Sequence, residues 1–256
     1  MLEGPSGRGK ENIMSDNMPK FWDEYEIKAR YIPCFLSVIP LVHFLVMLLG
    51  NTFWEEVVTE ISWMIVITDI SISLVFMLSL IQLQTAIGKH IIEKSVFGRN
   101  GEYFPTNDIL LLSGGFYSKE KKLELREKIE TYFNTKFPED ELVNIENSRL
   151  FAREINGQIR RLVGKGIMTY QYNIRYGFLR NIIGGFVWAL AGSLGCIIMY
   201  ILKKEWVAMS FFIAVFTIWT ILLIFKRNVL TGAAESYADN LFIDFLSLNE
   251  SKKGVE

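Results

Sequence analysis

Cysteine and histidine are nearly missing from this sequence, two of each, and the scarcity removes most metal and nucleophile chemistry at once. Cys34 and Cys196 both fall inside apolar runs, so neither a disulfide scaffold nor a zinc spacing is available, and no cofactor or metal is expected. His43 and His90 pair with no nucleophile, and there is no His-Glu-x-x-His and no Cys-x-x-Cys. The stretch from Gly4 to Glu11 nearly spells a phosphate-binding loop, but Glu11 stands where Ser or Thr would hold Mg²⁺, and no strand precedes it. With no catalytic constellation, the chain is expected not to be an enzyme. Nor is there an excess of one charge: the formal net charge of −1 averages unlike segments and says nothing about partners. The first thirty residues are polar and charged, so no cleavable signal peptide is expected, and residues 1–17 are expected to be disordered.

What the chain has instead is long apolar runs. Half of its residues are hydrophobic, aromatics reach 14%, and mean hydropathy is +0.24. These residues concentrate in four segments, 32–50, 61–83, 182–202 and 206–225, each near the roughly 20 residues a helix needs to cross hydrocarbon. The expected fold is therefore an all-α integral membrane protein with four transmembrane helices, arranged as two hairpins with a small helical cytosolic domain inserted between them. Its parts are a cytosolic N-terminal segment (1–31), hairpin 1 (32–83), the cytosolic domain (84–180), hairpin 2 (181–225) and a cytosolic C-terminal helix and tail (226–256). Pro33 suits a first helical turn, whereas Pro40 is expected to kink the first span.

Orientation follows from the basic residues of short loops. Arg8, Lys10, Lys20, Lys28 and Arg30 precede the first span, Lys226 and Arg227 follow the last, and the segment between spans two and three is rich in Lys and Arg. Loop 51–60 has no Lys or Arg and contains Glu55, Glu56 and Glu60; only Lys203 and Lys204 argue the other way. Both termini and the middle domain are thus expected on the cytoplasmic side of a bacterial inner membrane. Trp54, Trp63, Tyr200 and Trp206 fall at the outer interface, and Trp22, Tyr25, Tyr31 and Tyr176 at the inner one.

Within the middle domain, Gly98 to Gly101 reads as a turn, and Thr106 as the cap of a short helix over 107–112 ended by Gly114-Gly115. Ser118 caps a longer helix over 119–136 whose Leu125, Ile129, Tyr132 and Phe133 share a face. In a helix over 147–163, Phe151, Ile155, Ile159 and Leu162 form an apolar stripe, with Arg149, Arg153, Asn156 and Arg160 opposite. From Arg149 to Arg180 there are seven Lys or Arg residues and one acid, Glu154. Such a strip is either a solvated face, paired with nearby acids or lipid phosphates, or a phosphate site, because guanidinium forks match phosphate oxygens bidentately. On the second reading the ligand-binding residues are Arg149, Arg153, Asn156, Arg160 and Arg161. After span four the helix is expected to continue, with Leu230, Ala234, Tyr237, Leu241, Phe245 and Leu248 at helical spacing on its packing face.

Span two carries Asp69, the only acid inside a run, and a polar stripe of Thr68, Ser71, Ser79 and Gln82 that either lines a pore or bonds another helix. Span three carries Gly185, Ala189 and Ser193 at four-residue spacing, a face for close helix contact within or between subunits. His43 reads as a bonded packing residue.

Three functions remain open on these residues: a gated channel, a membrane-anchored sensor or adaptor recruiting a soluble partner, and, against the lack of catalytic residues, a membrane-disrupting or lipid-modifying enzyme. Three stretches, Phe21 to Pro33, Phe104-Pro105-Thr106-Asn107-Asp108 and Asn173 to Asn181, resemble bacterial membrane effectors of anti-phage defence, in particular those of the Hailong system. The resemblance implies a homo-oligomeric ion channel, a tetramer, in the lipid bilayer. It implies control by a nucleotide or single-stranded DNA oligomer made by a partner nucleotidyltransferase, with depolarisation when the channel is open.

Overall fold

The computed structural model describes residues 23–59, 63–138 and 144–248, the side chains of 51–73 and of Asn100 excepted. Every regular element among them is helical. Four helices are long and apolar enough to cross a membrane: Glu26–Gly50, Leu74–Phe97, Phe186–Lys203 and Trp206–Ile224.

The first begins as a π-helical turn, Glu26–Tyr31, and continues as α1 (Ile32–Thr59). Pro33 therefore lies inside a helix rather than in its first turn. A proline donates no N–H, so it leaves the carbonyl of Ala29 without its α-helical partner, and the Asn181 side chain takes that carbonyl at 2.6 Å. The non-helical point of α1 is Gly50 (φ 72°, ψ 172°), where a residue with a Cβ is strained, whereas Pro40 lies within the helix.

α2 (Trp63–Ile87) runs through a second π-helical turn, Gly88–Glu93, into the single-turn α3 (Lys94–Phe97). Gly98 (φ 76°) and Gly101 (φ 70°) then reverse the chain. α4 (Pro105–Leu110) starts two residues earlier than expected, because Pro105 presets the first helical φ behind an extended Phe104; Thr106 sits inside the helix and is not its cap. α5 (Lys119–Phe133) is capped by Ser118, whose Oγ accepts from the Lys121 amide at 3.3 Å, and ends three residues early at left-handed Asn134. Two buried cations of α5 hold the end of α4. Arg126 donates twice to the Leu110 carbonyl, at 2.8 and 2.6 Å, and Lys122, only 1% exposed, donates to the carbonyls of Leu111 (2.7 Å) and Gly114. The Leu110 carbonyl is an orphan acceptor of the α4 C-terminus, and those of Leu111 and Gly114 belong to the turn that follows. Lys128 does the same for the last helix, reaching the Leu246 and Leu248 carbonyls at 2.6 and 2.7 Å.

α6 (Ile145–Val163) is capped by Asn144 and buries Ser148, Ala152, Ile155, Asn156, Ile159 and Val163. Its inner face is thus rotated from the expected stripe: Leu162 is 46% exposed, and Asn156 is inside. α7 (Ile167–Gly184) and α8 (Phe186–Lys203) divide the expected third span at Gly185. Lys204 and Glu205 turn the chain into α9 (Trp206–Ile224). The expected run-on from span four is interrupted at Phe225 (φ −88°, ψ 11°), after which α10 (Lys226–Leu246) follows.

α10 joins two cores. Leu230, Ala233 and Ala234 pack with Phe97, Tyr176, Ile183, Ala189 and Trp219. Tyr237, Leu241, Phe242 and Phe245 pack with Ile109, Leu125, Ile129, Ile155 and Ile159 in the polar half. The expected packing face is therefore real, and it seats the tail helix on the middle domain. Among the apolar helices α8 packs on α9 and on α1, while α1 and α2 meet only slightly. Gly192 and Gly195 permit the α1–α8 contact: a Cβ at 192 would collide with the backbone of Leu41, and one at 195 would sit 2.6 Å from the Phe44 ring. Much apolar surface stays uncovered, including Val207 at 87% and Ile224 at 68%, more than water tolerates on a soluble protein.

Candidate functional site

Where the apolar helices meet the polar half, the π-helical extension of α2, the Gly98–Phe104 turn, α6, α7 and α10 enclose a cavity of about 850 Å³. Among the described residues its lining contains Lys89, Lys94, Arg99, Arg153, Arg160 and Arg180, with His90, and a single acid, Glu93. Glu93 is already engaged: its Oε2 accepts from the Tyr176 hydroxyl and from Arg180 Nη1, each at 3.0 Å. Burial pushes the Tyr176 phenol far above its ordinary range and the Glu93 carboxylate adds to that, so Tyr176 stays a protonated donor. Burial works against the charge of Arg180, and the Glu93 carboxylate at 3.0 Å offsets it, the guanidinium lying above its ordinary value. Arg180 Nε is buried and has no hydrogen-bond partner.

The other cations are uncompensated. Among the described residues none of Lys89, Lys94, Arg99, Arg153 and Arg160 has a carboxylate within ion-pair distance. Arg160 lies 5.7 Å from the centre of the Tyr237 ring. Phe104, Tyr176 and Tyr237 form the aromatic part of the lining, Phe104 sitting edge-on to Tyr176 at 5.3 Å. Exposed cations facing one concavity raise the local potential for anions, and low-dielectric walls strengthen it.

The five residues expected to bind a ligand separate into three groups. Arg153 and Arg160 line the cavity and are exposed in it. Asn156 lines it too, but is 3% exposed and spends its amide on structure: Nδ2 donates to the Thr106 carbonyl and to Asn107 Oδ1, both at 2.8 Å, and Asn107 in turn donates to the Gly101 carbonyl. That chain pins the Gly98–Phe104 turn to α6, so Asn156 shapes the cavity wall. Arg149 and Arg161 do not line the cavity; Arg149 stacks 4.3 Å over the Tyr103 ring and Arg161 is exposed. Lys89, Lys94, Arg99 and Arg180 are cavity residues that the helical wheel of α6 gives no means of finding.

Of the polar residues expected inside span two, the side chains of Thr68, Asp69 and Ser71 lie outside the described residues. Ser79 and Gln82 are exposed, and the Ser79 hydroxyl donates to the Val75 carbonyl at 2.8 Å. The buried polar face of α2 is Gln84. Its Oε1 accepts from Ser37 of α1 at 2.8 Å, and its Nε2 donates to the Asn181 carbonyl of α7 at 2.8 Å. With Asn181 on Ala29, this network ties α1, α2 and α7 one turn from the cavity. Gly88, Gly184 and Gly185 let the three cross: a Cβ at Gly184 would lie 2.9 Å from Gly88 Cα and from the Gln84 carbonyl. Gly185, Ala189 and Ser193 are all buried against this chain's own helices. His43 bonds the Tyr200 hydroxyl at 2.8 Å and stacks on Phe212.

No metal-holding cluster of His, Cys, Asp or Glu occurs among the described residues, and both cysteines are buried as free thiols. Neither a family model, nor a curated protein, nor a solved structure matches the chain.

Proposed function

We propose that the chain is one subunit of a homo-oligomeric membrane channel of bacterial anti-phage immunity, gated by a phosphate-rich ligand, a nucleotide or oligonucleotide, held in the cationic cavity. The observation that carries the reading is the cavity itself: six Lys and Arg side chains against one carboxylate that is already bonded to Tyr176 and Arg180. An uncompensated cationic concavity of that kind fits a polyanion better than it fits water or an apolar molecule.

Three further features support the reading. Ser79 and Gln82 are exposed, and polar groups on an apolar helix find water or another helix to bond. α9 buries only Phe212 and Trp219 within the chain, leaving a broad apolar face for lipid or a second subunit. The Ser37–Gln84–Asn181 network joins the cavity's neighbouring helices to two of the apolar ones, a physical route from ligand to pore. Arg153→Glu with Arg160→Glu should abolish the ligand's control of membrane potential in cells expressing the protein. If reversing both arginines leaves that control intact, the cavity is not the regulatory site. A bilayer that stays silent under every condition favours an adaptor instead.

A further inference from the structure

The cavity's cations stand on two separate bodies of the fold. Lys89, Lys94 and Arg99 belong to the segment that continues α2 out of its apolar run, whereas Arg153 and Arg160 belong to α6 of the polar half. Glu93, on the same turn as Lys89, is bonded to Arg180 at 3.0 Å and so neutralises none of these five. A single phosphate carries about two negative charges at most and leaves most of these five cations unneutralised. We infer that the ligand carries at least two phosphate groups and bridges the walls, one group on Arg153 and Arg160, the other on Lys89, Lys94 and Arg99. Bound in this way it adds a charged tie between the two walls to the Asn156–Asn107–Gly101 contact that already joins the turn to α6. The inference rests on the anion site of the proposed function but not on the channel.

The test uses the full chain in uncharged detergent micelles, with orthophosphate and tripolyphosphate as probes and binding measured by titration calorimetry. Tripolyphosphate should bind at least about tenfold tighter than orthophosphate, with an affinity that falls steeply with salt. Lys89→Glu with Lys94→Glu should weaken it about tenfold or more, as should Arg153→Glu with Arg160→Glu. The neutral pair Lys89→Gln with Lys94→Gln should weaken it less, in the same direction, which separates lost attraction from a folding defect. Binding that depends on Arg153 and Arg160 but not on Lys89 and Lys94 overturns the bridge while leaving the anion site standing. Equal affinity for the two probes overturns it as well. Mixed micelles distinguish the source of the phosphates. Competition by cardiolipin, with two phosphates, and not by phosphatidylglycerol supports a bridging headgroup; no competition by either supports a soluble ligand; equal competition by phosphatidylglycerol overturns the bridge.

Discussion

Asn181 offers the sharpest test of how the apolar helices are held together. Its Nδ2 lies 2.6 Å from the Ala29 carbonyl, the acceptor that Pro33 deprives of an α-helical donor, and the residue is fully buried. Asn181→Ala should leave that carbonyl, on a fully buried residue, without a donor, at a cost of about 1–3 kcal/mol. For a chain of this size that corresponds to a fall in Tm of roughly 2–10 °C, read by thermal unfolding in detergent. The removed side-chain volume adds to the loss, so the informative quantity is a double-mutant cycle. Pro33→Ala restores an N–H one turn after Ala29, and in that background the Ala29 carbonyl no longer depends on Asn181. The cost of Asn181→Ala should then shrink by about 1 kcal/mol. The same cost in both backgrounds would refute the assignment of Asn181 as the donor that replaces the proline's missing N–H.

Ser118→Ala removes the cap of α5 and should cost about 1 kcal/mol, measured by the thermal midpoint of the helical circular dichroism signal. Gly157 lies on an exposed face of α6 with open space around its Cα, so Gly157→Ala should stabilise by about 0.5–1 kcal/mol in the same assay. At Gly184 the new Cβ meets backbone that cannot swing away, and Gly184→Ala should cost about 1–3 kcal/mol while the cavity's charges are untouched.

How much of this was legible in the sequence depends on the range of the interaction. Apolar runs are a local property, and α1, α2, α8 and α9 stand close to where composition places them; caps are equally local, and Ser118 behaves as read. The break at Gly185 was not legible, because a glycine in an apolar run reads equally as a packing residue, and only its neighbours Ser37 and Gln84 show why the chain turns there. The buried face of α6 is rotated from the one its apolar residues mark. Asn156 looked polar and therefore outward, yet the partners that satisfy it, Thr106 and Asn107, lie on an element remote in sequence. The same limit hid half of the cavity. Arg153 and Arg160 share a helix and announce themselves, but Lys89, Lys94, Arg99 and Arg180 reach the same space only through the packing of α2, α7 and α10. Pro33 was the one available signal for the buried network, since a proline inside a helix obliges some distant donor to come to the orphaned carbonyl.

The central claim is that anion occupancy of the cavity controls a conductance. The direct measurement is planar-bilayer recording of the purified full chain, with tripolyphosphate added to one side and then the other, for the native protein and for Arg153→Glu with Arg160→Glu. The account predicts a conductance that tripolyphosphate changes from one side only, and a variant whose conductance persists but no longer responds. A conductance indifferent to the polyanion on both sides, or an identical response in the variant, contradicts it.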